Sequence, residues 1–313
     1  MNVYRSVEDI PYTHSSCLTI GTFDGIHLGH QQIIGRLITC ANQTRSRSVL
    51  VTFFPHPKNV IGASDQPMML LTTLEEKLPL IESLGIDSVL VIPFTPTLSM
   101  IKPEMFVESI LVQEVGMGSI IIGYNHAFGH SRKGTTELLQ RLGQKHLFSV
   151  EVVPPVFDDD EPISSTRIRS CVLDGDVLSA HRMLSRPYCI TGEVIHGEKR
   201  GQRLGFPTAN LTILGEHKLI PKDGVYAVTI HLNNHTYLGM ANIGCRPTVD
   251  GDQRQVEVHV HQYEGDLYGK VLQVSIIQRI RDEIRFQSTD DLVKQMQKDK
   301  IQTLQLLSKH FRR

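Results

Sequence analysis

The stretch Thr22-Phe-Asp-Gly-Ile-His-Leu-Gly-His30 decides how the chain is read, because it places two histidines three residues apart beside two glycines at a strand-to-helix turn. The apolar run Cys17 to Ile20 before it has the length of a short buried strand, and the amphipathic run Gln31 to Ala41 after it has helical period. The turn therefore opens onto a helix N-terminus, where free backbone N–H groups and the helix dipole favour an anion. Gly25 and Gly29 let the backbone approach a phosphate closely. His27 and His30, three apart, reach one ligand from one helix face. An imidazole pair with free amides suits charge stabilisation on a phosphoryl group. Two other readings stay open for these residues alone. The histidines could be surface polar residues, or they could bind zinc with His126 or His130, since H-x-x-H spacings are feasible for that metal.

Outward from this turn, strands and helices alternate to about residue 155, the pattern of a parallel sheet with helices on both faces. The strands are read at Leu18 to Gly21, Val49 to Phe54, Ser88 to Pro93, Ser119 to Gly123 and Phe148 to Val153. Helices are read at Gln31 to Ala41, Leu74 to Leu84, Pro103 to Val115 and Thr135 to Lys145. Thr72 followed by Glu75 reads as a cap, while Pro79 implies that its helix is bent or starts later. Ligands of open sheets bind beyond the carboxyl ends of strands. Three segments follow strand ends there, TFDGIHLGH, FPHP (Phe54 to Pro57) and GYNHAFGHSRKG (Gly123 to Gly134). A fourth, ISSTRIRS (Ile163 to Ser170), reads as a helix start capped by Ser164 or Ser165.

A helical connector, Val177 to Leu184, leads to a different texture after Arg186-Pro187. Strand-like runs recur at Tyr188 to Ile195, Leu211 to Leu214, Val225 to Leu232, Thr236 to Ile243, Gln255 to Gln262 and Val271 to Ile277. Such closely spaced strands predict a small closed barrel. A final amphipathic helix, Thr289 to Ser308, capped by Ser288 with Asp291, lies against it. The fold class is thus α/β plus all-β: a parallel-sheet domain, then a small barrel closed by a C-terminal helix. The domains are read as 1–185, including the connector, and 186–313.

Composition bounds the function. Over 313 residues, 32 Lys and Arg nearly balance 33 Asp and Glu, so no basic field argues for nucleic acid or an anionic membrane as partner. Cys17, Cys40, Cys171, Cys189 and Cys245 are odd in number and contain no C-x-x-C, which points away from a disulfide framework or a structural zinc. No apolar run approaches the ~20 residues needed to span a bilayer, and the N-terminus lacks the pattern of a signal peptide. A cytoplasmic protein without membrane partners is expected.

In the second half, GEVIHGEKRGQRLGFPTAN (Gly192 to Asn210) carries Gly197, Gly201 and Gly205, then Pro207, Thr208 and Asn210. It is not a P-loop, since no G-x-x-x-x-G-K-[ST] occurs. A glycine-rich loop with Lys199, Arg200 and Arg203 is nonetheless able to wrap polyphosphate, and Thr208 and Asn210 supply oxygens for Mg²⁺. A glycine-rich hairpin with solvated charges is the plainer reading. Along an extended strand Glu257, His259 and His261 share a face. They could be a polar outer face, a metal set, or a carboxylate placed as general base.

TFDGIHLGH, TFFPHP, IGYNHAFGHSRKG and ISSTRIRS together resemble the adenylyltransferase half of prokaryotic bifunctional riboflavin kinase/FAD synthetases. PTAN, ANIGCRPT (Ala241 to Thr248) and VEVHVHQYEGDLYG (Val256 to Gly269) resemble the riboflavin kinase half, so the resemblance spans nearly the whole chain. It implies a Rossmann-like nucleotidyltransferase sheet and a Greek-key barrel, and a chain that phosphorylates riboflavin with ATP to FMN, then adenylylates FMN with a second ATP to FAD, releasing pyrophosphate. It implies His27 and His30 as catalytic contacts to the ATP phosphates and Glu257 as base for the riboflavin 5′-hydroxyl. It further implies adenylyl-site contacts from Gly21, Phe23, Asp24, Gly25, Gly29, His56, Asn125, Phe128, Arg132, Ser164, Ser165, Thr166 and Arg169. Kinase-site contacts would come from Gly197, Gly201, Gly205, Pro207 and Asn242, with Thr208 and Asn210 on Mg²⁺. Asn125 stands where many members have Asp, and His126 and Ala127 where Phe and a basic residue are common. Arg281, Arg285 and Phe286 match the family's R-x-x-x-[RK]-F, and packing with solvated charge is an equal reading of them. The competing readings are an FMN adenylyltransferase carrying a non-catalytic flavin-binding barrel, and a zinc hydrolase built on His27 and His30.

Overall fold

The computed structural model describes all residues except 63–65, 131–132, 197–200, 202–203, 249–250 and 311–313. The chain divides into two compact units, Met1–Ser165 and Thr166–Arg313.

The first unit is built on a six-stranded parallel sheet. Its strands are β1 (Asn2–Tyr4), β2 (Ser16–Ile20), β3 (Ser48–Phe54), β4 (Ser88–Pro93), β5 (Met117–Gly123) and β6 (Ser149–Val153), in the order β1-β4-β3-β2-β5-β6. β1 is absent from the sequence reading because a three-residue strand with exposed side chains carries no periodic signal. The chain leaves β2 in one direction through β3 and resumes on its other side with β5, so β2 and β5 border the point where strand order reverses. Ligand crevices form beyond the carboxyl ends of strands at such a point.

Residues of central strands alternate between two buried layers, as the period-2 pleat requires. Leu18, Ile20, Val49, Val51, Ile120 and Ile122 point to one face, which is covered by a π-type helix at Phe106–Glu114 and by α6 (Thr136–His146). Cys17, Leu50, Val89, Val91 and Ile121 point to the other, covered by α1 (Leu28–Thr44) and α3 (Leu74–Ser83). Each fully buried aliphatic side chain stabilises the unit by roughly 1.5–3 kcal/mol. The short helices α2 (Pro57–Ile61), α4 (Pro96–Ser99) and α5 (Pro103–Met105) lie in the connections.

Two local expectations change. The capping box of α3 is Thr73 with Glu76, one residue later than read, the Thr73 hydroxyl accepting from Glu76 N and the Glu76 carboxylate from Thr73 N at 3.2 Å each. Thr72 is instead drawn inward. The helix also runs through Pro79, which lies exposed.

The second unit holds α7 (Ser165–Asp174, from its second residue on), α8 (Val177–Leu184) and a closed barrel. The connector α8, which the sequence reading groups with the first activity, packs on barrel strands β9 and β14. After a two-residue hairpin in the first unit, β7 (Phe157–Asp158) and β8 (Glu161–Pro162), the barrel strands are β9 (Tyr188–Ile195), β10 (Ala209–Ile213), β11 (Gly224–Leu232), β12 (His235–Thr248), β13 (Gly251–Val260) and β14 (Val271–Arg281). Their order is β10-β13-β12-β11-β14-β9, all antiparallel, and β9 pairs β10 to close it. β14 returns beside β11 after the β11-β12-β13 meander, which is a Greek key. Val194, Val256, Val258, Val274 and Ile276 are buried. α9 (Thr289–His310) starts where read: the Ser288 hydroxyl accepts from Asp291 N at 3.2 Å. Its Leu307 packs with Ala227 and Ile277 on the barrel wall.

Candidate active sites

The turn after β2 is an unusual piece of backbone. Phe23, Gly25 and Ile26 all have left-handed φ, at 48°, 88° and 42°. Two of these are not glycine, a conformation that costs about 1–3 kcal/mol and persists only where the surroundings enforce it. Here the enforcement is visible. Phe23 and Ile26 are buried in the α1 layer. The buried Asp24 carboxylate accepts from Leu71 N at 3.1 Å, Thr72 N at 3.0 Å and the Thr72 hydroxyl at 3.3 Å. The Thr72 hydroxyl in turn accepts from Gly25 N at 3.0 Å. Lys77, 6% exposed, donates its ammonium to the Thr22 carbonyl at 2.7 Å. Burial pushes the Lys77 ammonium down from its ordinary value, and the Asp24 carboxylate opposes that shift.

This scaffold delivers the two histidines. His27 is not within the helix but is its N-cap, its Nδ1 accepting from His30 N at 3.4 Å. The imidazoles stack with centroids 3.6 Å apart and planes 20° apart, and the Phe23 ring meets His30 edge-on at 5.2 Å. A Cβ at Gly29 would stand 3.2 Å from the His27 ring, so glycine here leaves the imidazole its place. A Cβ at Gly21 would likewise lie 3.2 Å from the Phe23 ring. The paired rings thus sit at the first turn of α1, the positive end of the helix dipole.

Two further segments follow strands at the same sheet end, and the fourth starts within the first unit. His56 follows β3 and caps α2, its Nδ1 accepting from Lys58 N at 3.1 Å. Asn125 follows β5 and is exposed, while Phe128 is buried, stacks on His126 at 5.5 Å and bridges to Gly134. Ser165 donates its hydroxyl to the Asp24 carbonyl at 2.9 Å, which ties the fourth segment directly to the turn. Ser164 precedes the first residue of α7, and Thr166 and Arg169 lie on that helix within the second unit. Arg132 lies outside the described residues. Among the described residues no group of three or more His, Cys, Asp or Glu is placed to hold a metal ion.

In the barrel, strand register assembles the second site. Glu257 on β13 is the cross-strand partner of Asn210 on β10 and of Asn242 on β12, so the three share one face across adjacent strands. The Thr208 hydroxyl donates to Glu257 Oε2 at 3.3 Å. Pro207 turns the chain into β10, and its carbonyl lies 2.8 Å from His259 Nδ1. Gly205 has a left-handed φ of 77°. A Cβ on Gly201 would collide with the Phe206 carbonyl and meet the Thr208 hydroxyl at 3.0 Å, so glycine alone leaves both groups their place. Gly197, Lys199, Arg200 and Arg203 lie outside the described residues. His259 and His261 are both buried, with rings 5.0 Å apart. Burial lowers both, and for His261 the neighbouring His259 and Lys300 add to it, bringing it to about 4.

Arg281 has a structural place. Its guanidinium makes a forked pair with Asp299 of α9, Nη2 to Oδ2 at 2.7 Å and Nε to Oδ1 at 3.1 Å, with Asp299 3% exposed. Sequence reasoning missed Lys77, Thr72 and Glu283, whose carboxylate accepts from Asn242 Nδ2 at 3.2 Å. Only Lys77 leaves a signal, since it occupies the apolar stripe Leu74, Lys77, Leu78, Ile81 of α3.

Comparison with known proteins bears on both sites. A FAD synthetase family model matches residues 9–167 and a riboflavin kinase family model residues 184–307. A bifunctional riboflavin kinase/FMN adenylyltransferase of Buchnera aphidicola is 35% identical over 99% of this chain and 99% of its own. The protein of that name from Listeria monocytogenes is 35% identical, covering 93% and 92%. A crystal structure from Streptococcus pneumoniae, described as a macrolide-efflux protein, is 31% identical with a TM-score of 0.88, covering 96% of this chain and 97% of its own. Among the described residues of the present chain no helix is long and apolar enough to cross a membrane. The two family models fall on the two halves in which the sites were built, and the full-length relatives carry both halves in one chain; this protein belongs to the bifunctional riboflavin kinase/FMN adenylyltransferase family.

Proposed function

We propose that the chain is a bifunctional transferase that converts riboflavin and ATP to FMN in residues 186–313, and FMN and a second ATP to FAD and pyrophosphate in residues 1–185. Glu257 carries this reading over that of an adenylyltransferase with an idle barrel: its carboxylate, 3.3 Å from the Thr208 hydroxyl, stands between Asn210 and Asn242. A barrel that merely held flavin would have no use for a carboxylate so placed.

In the kinase step Glu257 accepts the proton of the riboflavin 5′-hydroxyl, whose oxygen attacks the γ-phosphorus of ATP as the bond to the β,γ-bridging oxygen breaks and ADP leaves. His259, fixed by its contact with the Pro207 carbonyl, supports the strand and loop that hold Glu257. Thr208 and Asn210 offer a hydroxyl and an amide oxygen, hard donors that suit Mg²⁺. These residues would hold the ion, which when bound neutralises polyphosphate charge. Gly201, Gly205 and Pro207 shape the loop that approaches ATP.

In the adenylyl step an FMN phosphate oxygen attacks the α-phosphorus of ATP and pyrophosphate leaves. His27 and His30 donate to the phosphate oxygens on which charge develops, and the α1 N-terminus reinforces them. Gly21, Gly25 and Gly29 keep the backbone close to the nucleotide. Phe23 and Asp24 hold the turn in its strained form, and Ser165 braces it through the Asp24 carbonyl. His56, Asn125, Phe128, Arg132, Ser164, Thr166 and Arg169 are assigned to ATP and FMN contact. Cytoplasmic function with small-molecule partners fits this chemistry.

The test is incubation with riboflavin as sole flavin and MgATP, followed by chromatography. FMN and then FAD are expected. FAD from added FMN with no FMN from riboflavin would establish the idle-barrel alternative.

A further inference from the structure

β2 and α1 flank the two-histidine turn, and each presents a cysteine to the other. Cys17 of β2 is buried, Cys40 of α1 is half-buried, and their sulfurs are 3.0 Å apart, both as free thiols. About 1 Å of further approach would make the ~2.05 Å bond of a disulfide. The surroundings of Cys17 are polar for so buried a sulfur. The Ser119 hydroxyl donates to it at 2.9 Å, and the hydroxyls of Ser46 and Thr44 stand at 3.2 and 3.5 Å. The same Ser119 hydroxyl lies 3.3 Å from Cys40 Sγ. Burial pushes the Cys17 thiol up, but Ser119, Ser46, Cys40 and Thr44 outweigh it and the net direction is down, whereas the Cys40 thiol is raised. The first proton of the pair therefore leaves Cys17, and hydrogen-bond donors are in place for the thiolate, which is the reactive form. Neither cysteine takes part in the proposed chemistry.

We propose that Cys17 and Cys40 form a reversible intramolecular disulfide on reaction with a low-molecular-weight disulfide, and that this bond slows FAD formation. Cys17, 1% exposed, is closed to the reagent, so half-buried Cys40 makes the first attack despite its raised thiol, losing its proton to solvent and expelling one small thiol from the reagent. Cys17 thiolate then attacks Cys40 Sγ and expels the second. The two cysteines lose two protons and two electrons, and the reagent is reduced to two thiols. The bond draws α1 onto β2, and both lead directly into the turn that holds His27 and His30. Misplacing such groups by about 1 Å is enough to cost about tenfold to a hundredfold in rate. The effect on rate rests on the assignment of FAD formation to this half.

The full-length protein, treated with oxidised glutathione and then alkylated, is digested with trypsin, which cuts after Arg36 and so separates Cys17 (residues 6–36) from Cys40 (residues 37–45). The expected result is a disulfide-linked pair of these peptides. FAD formation from FMN falls about tenfold and returns with dithiothreitol, FMN formation from riboflavin is unchanged, and Cys40→Ser keeps its FAD rate under the same treatment. Recovery of the two peptides singly, whether glutathionylated or alkylated, overturns the proposal. So does a linked pair with an undiminished FAD rate. Reduced protein that makes no FAD at all would instead count against the functional assignment, and the peptide map would still decide the disulfide.

Discussion

Lys77 is held in a place where a lysine has few reasons to be. Its ammonium is buried against the Thr22 carbonyl and faces Asp24, and these groups together lock the backbone that presents His27. Removing one partner from a buried ionic cluster leaves the other short of compensation, which typically costs 3–5 kcal/mol. Lys77→Met is therefore expected to lower the unfolding free energy of the first unit by about 3 kcal/mol, read as a lower urea midpoint at constant slope. An unchanged midpoint would show that the ammonium contributes nothing. His261 makes a second prediction at this scale. Its folded value near 4 lies below the ordinary 6.5, because burial disfavours the charged form and His259 and Lys300 oppose it. The unfolded chain binds the proton more readily, so the stability that neutral His261 contributes is complete above about pH 6.5 and is lost as pH falls toward 4. Melting curves across that window should show the barrel of His261→Asn losing less stability than wild type. Parallel losses would refute the assignment.

At the scale of elements, packing and the Arg281–Asp299 ion pair attach α9 to the barrel. Leu307 sits against Ala227 and Ile277, and Arg281 of β14 grips Asp299 with both arms of its guanidinium. Arg281→Ala should destabilise the second unit by about 3 kcal/mol, since it strands a carboxylate that is 3% exposed. FMN formation at a temperature well below the melt should survive. Its loss in the folded variant would show that Arg281 acts in the reaction and not only in holding α9. The same scale shows why the cap of α3 was read one residue early. Thr72-Thr73 followed by Glu75-Glu76 offers two equivalent boxes to a sequence reader, and only the demand of Asp24 for the Thr72 hydroxyl selects the second.

At the scale of the molecule, the proposal of one site in each half predicts separable losses. His30→Ala should abolish FAD formation and leave FMN formation intact. Glu257→Ala should abolish FMN formation from riboflavin yet still adenylylate supplied FMN. Chromatography of both products from each variant checks this, and loss of both activities from one folded variant would contradict the two-site assignment.

Much of this organisation follows from local rules. Alternating apolar runs and helical periods dictate the parallel sheet and the barrel, and turn chemistry places TFDGIHLGH at a strand end, because period and backbone freedom are properties of neighbouring residues. The two histidines, the glycines and PTAN were legible for the same reason. What tertiary structure alone decided depends on residues distant along the chain. Asn210, Glu257 and Asn242 share one face only through the register of β10, β13 and β12. Asp24, Thr72 and Lys77 lock a left-handed turn only after α3 packs on the sheet, and Ser165 reaches Asp24 across 141 residues of sequence. Hydrogen bonds and charges act through space over a few ångströms, so no reading of sequence spacing contains them. The TFDGIHLGH stretch announced where the chemistry would be; its strained shape is imposed by partners that the stretch itself does not contain.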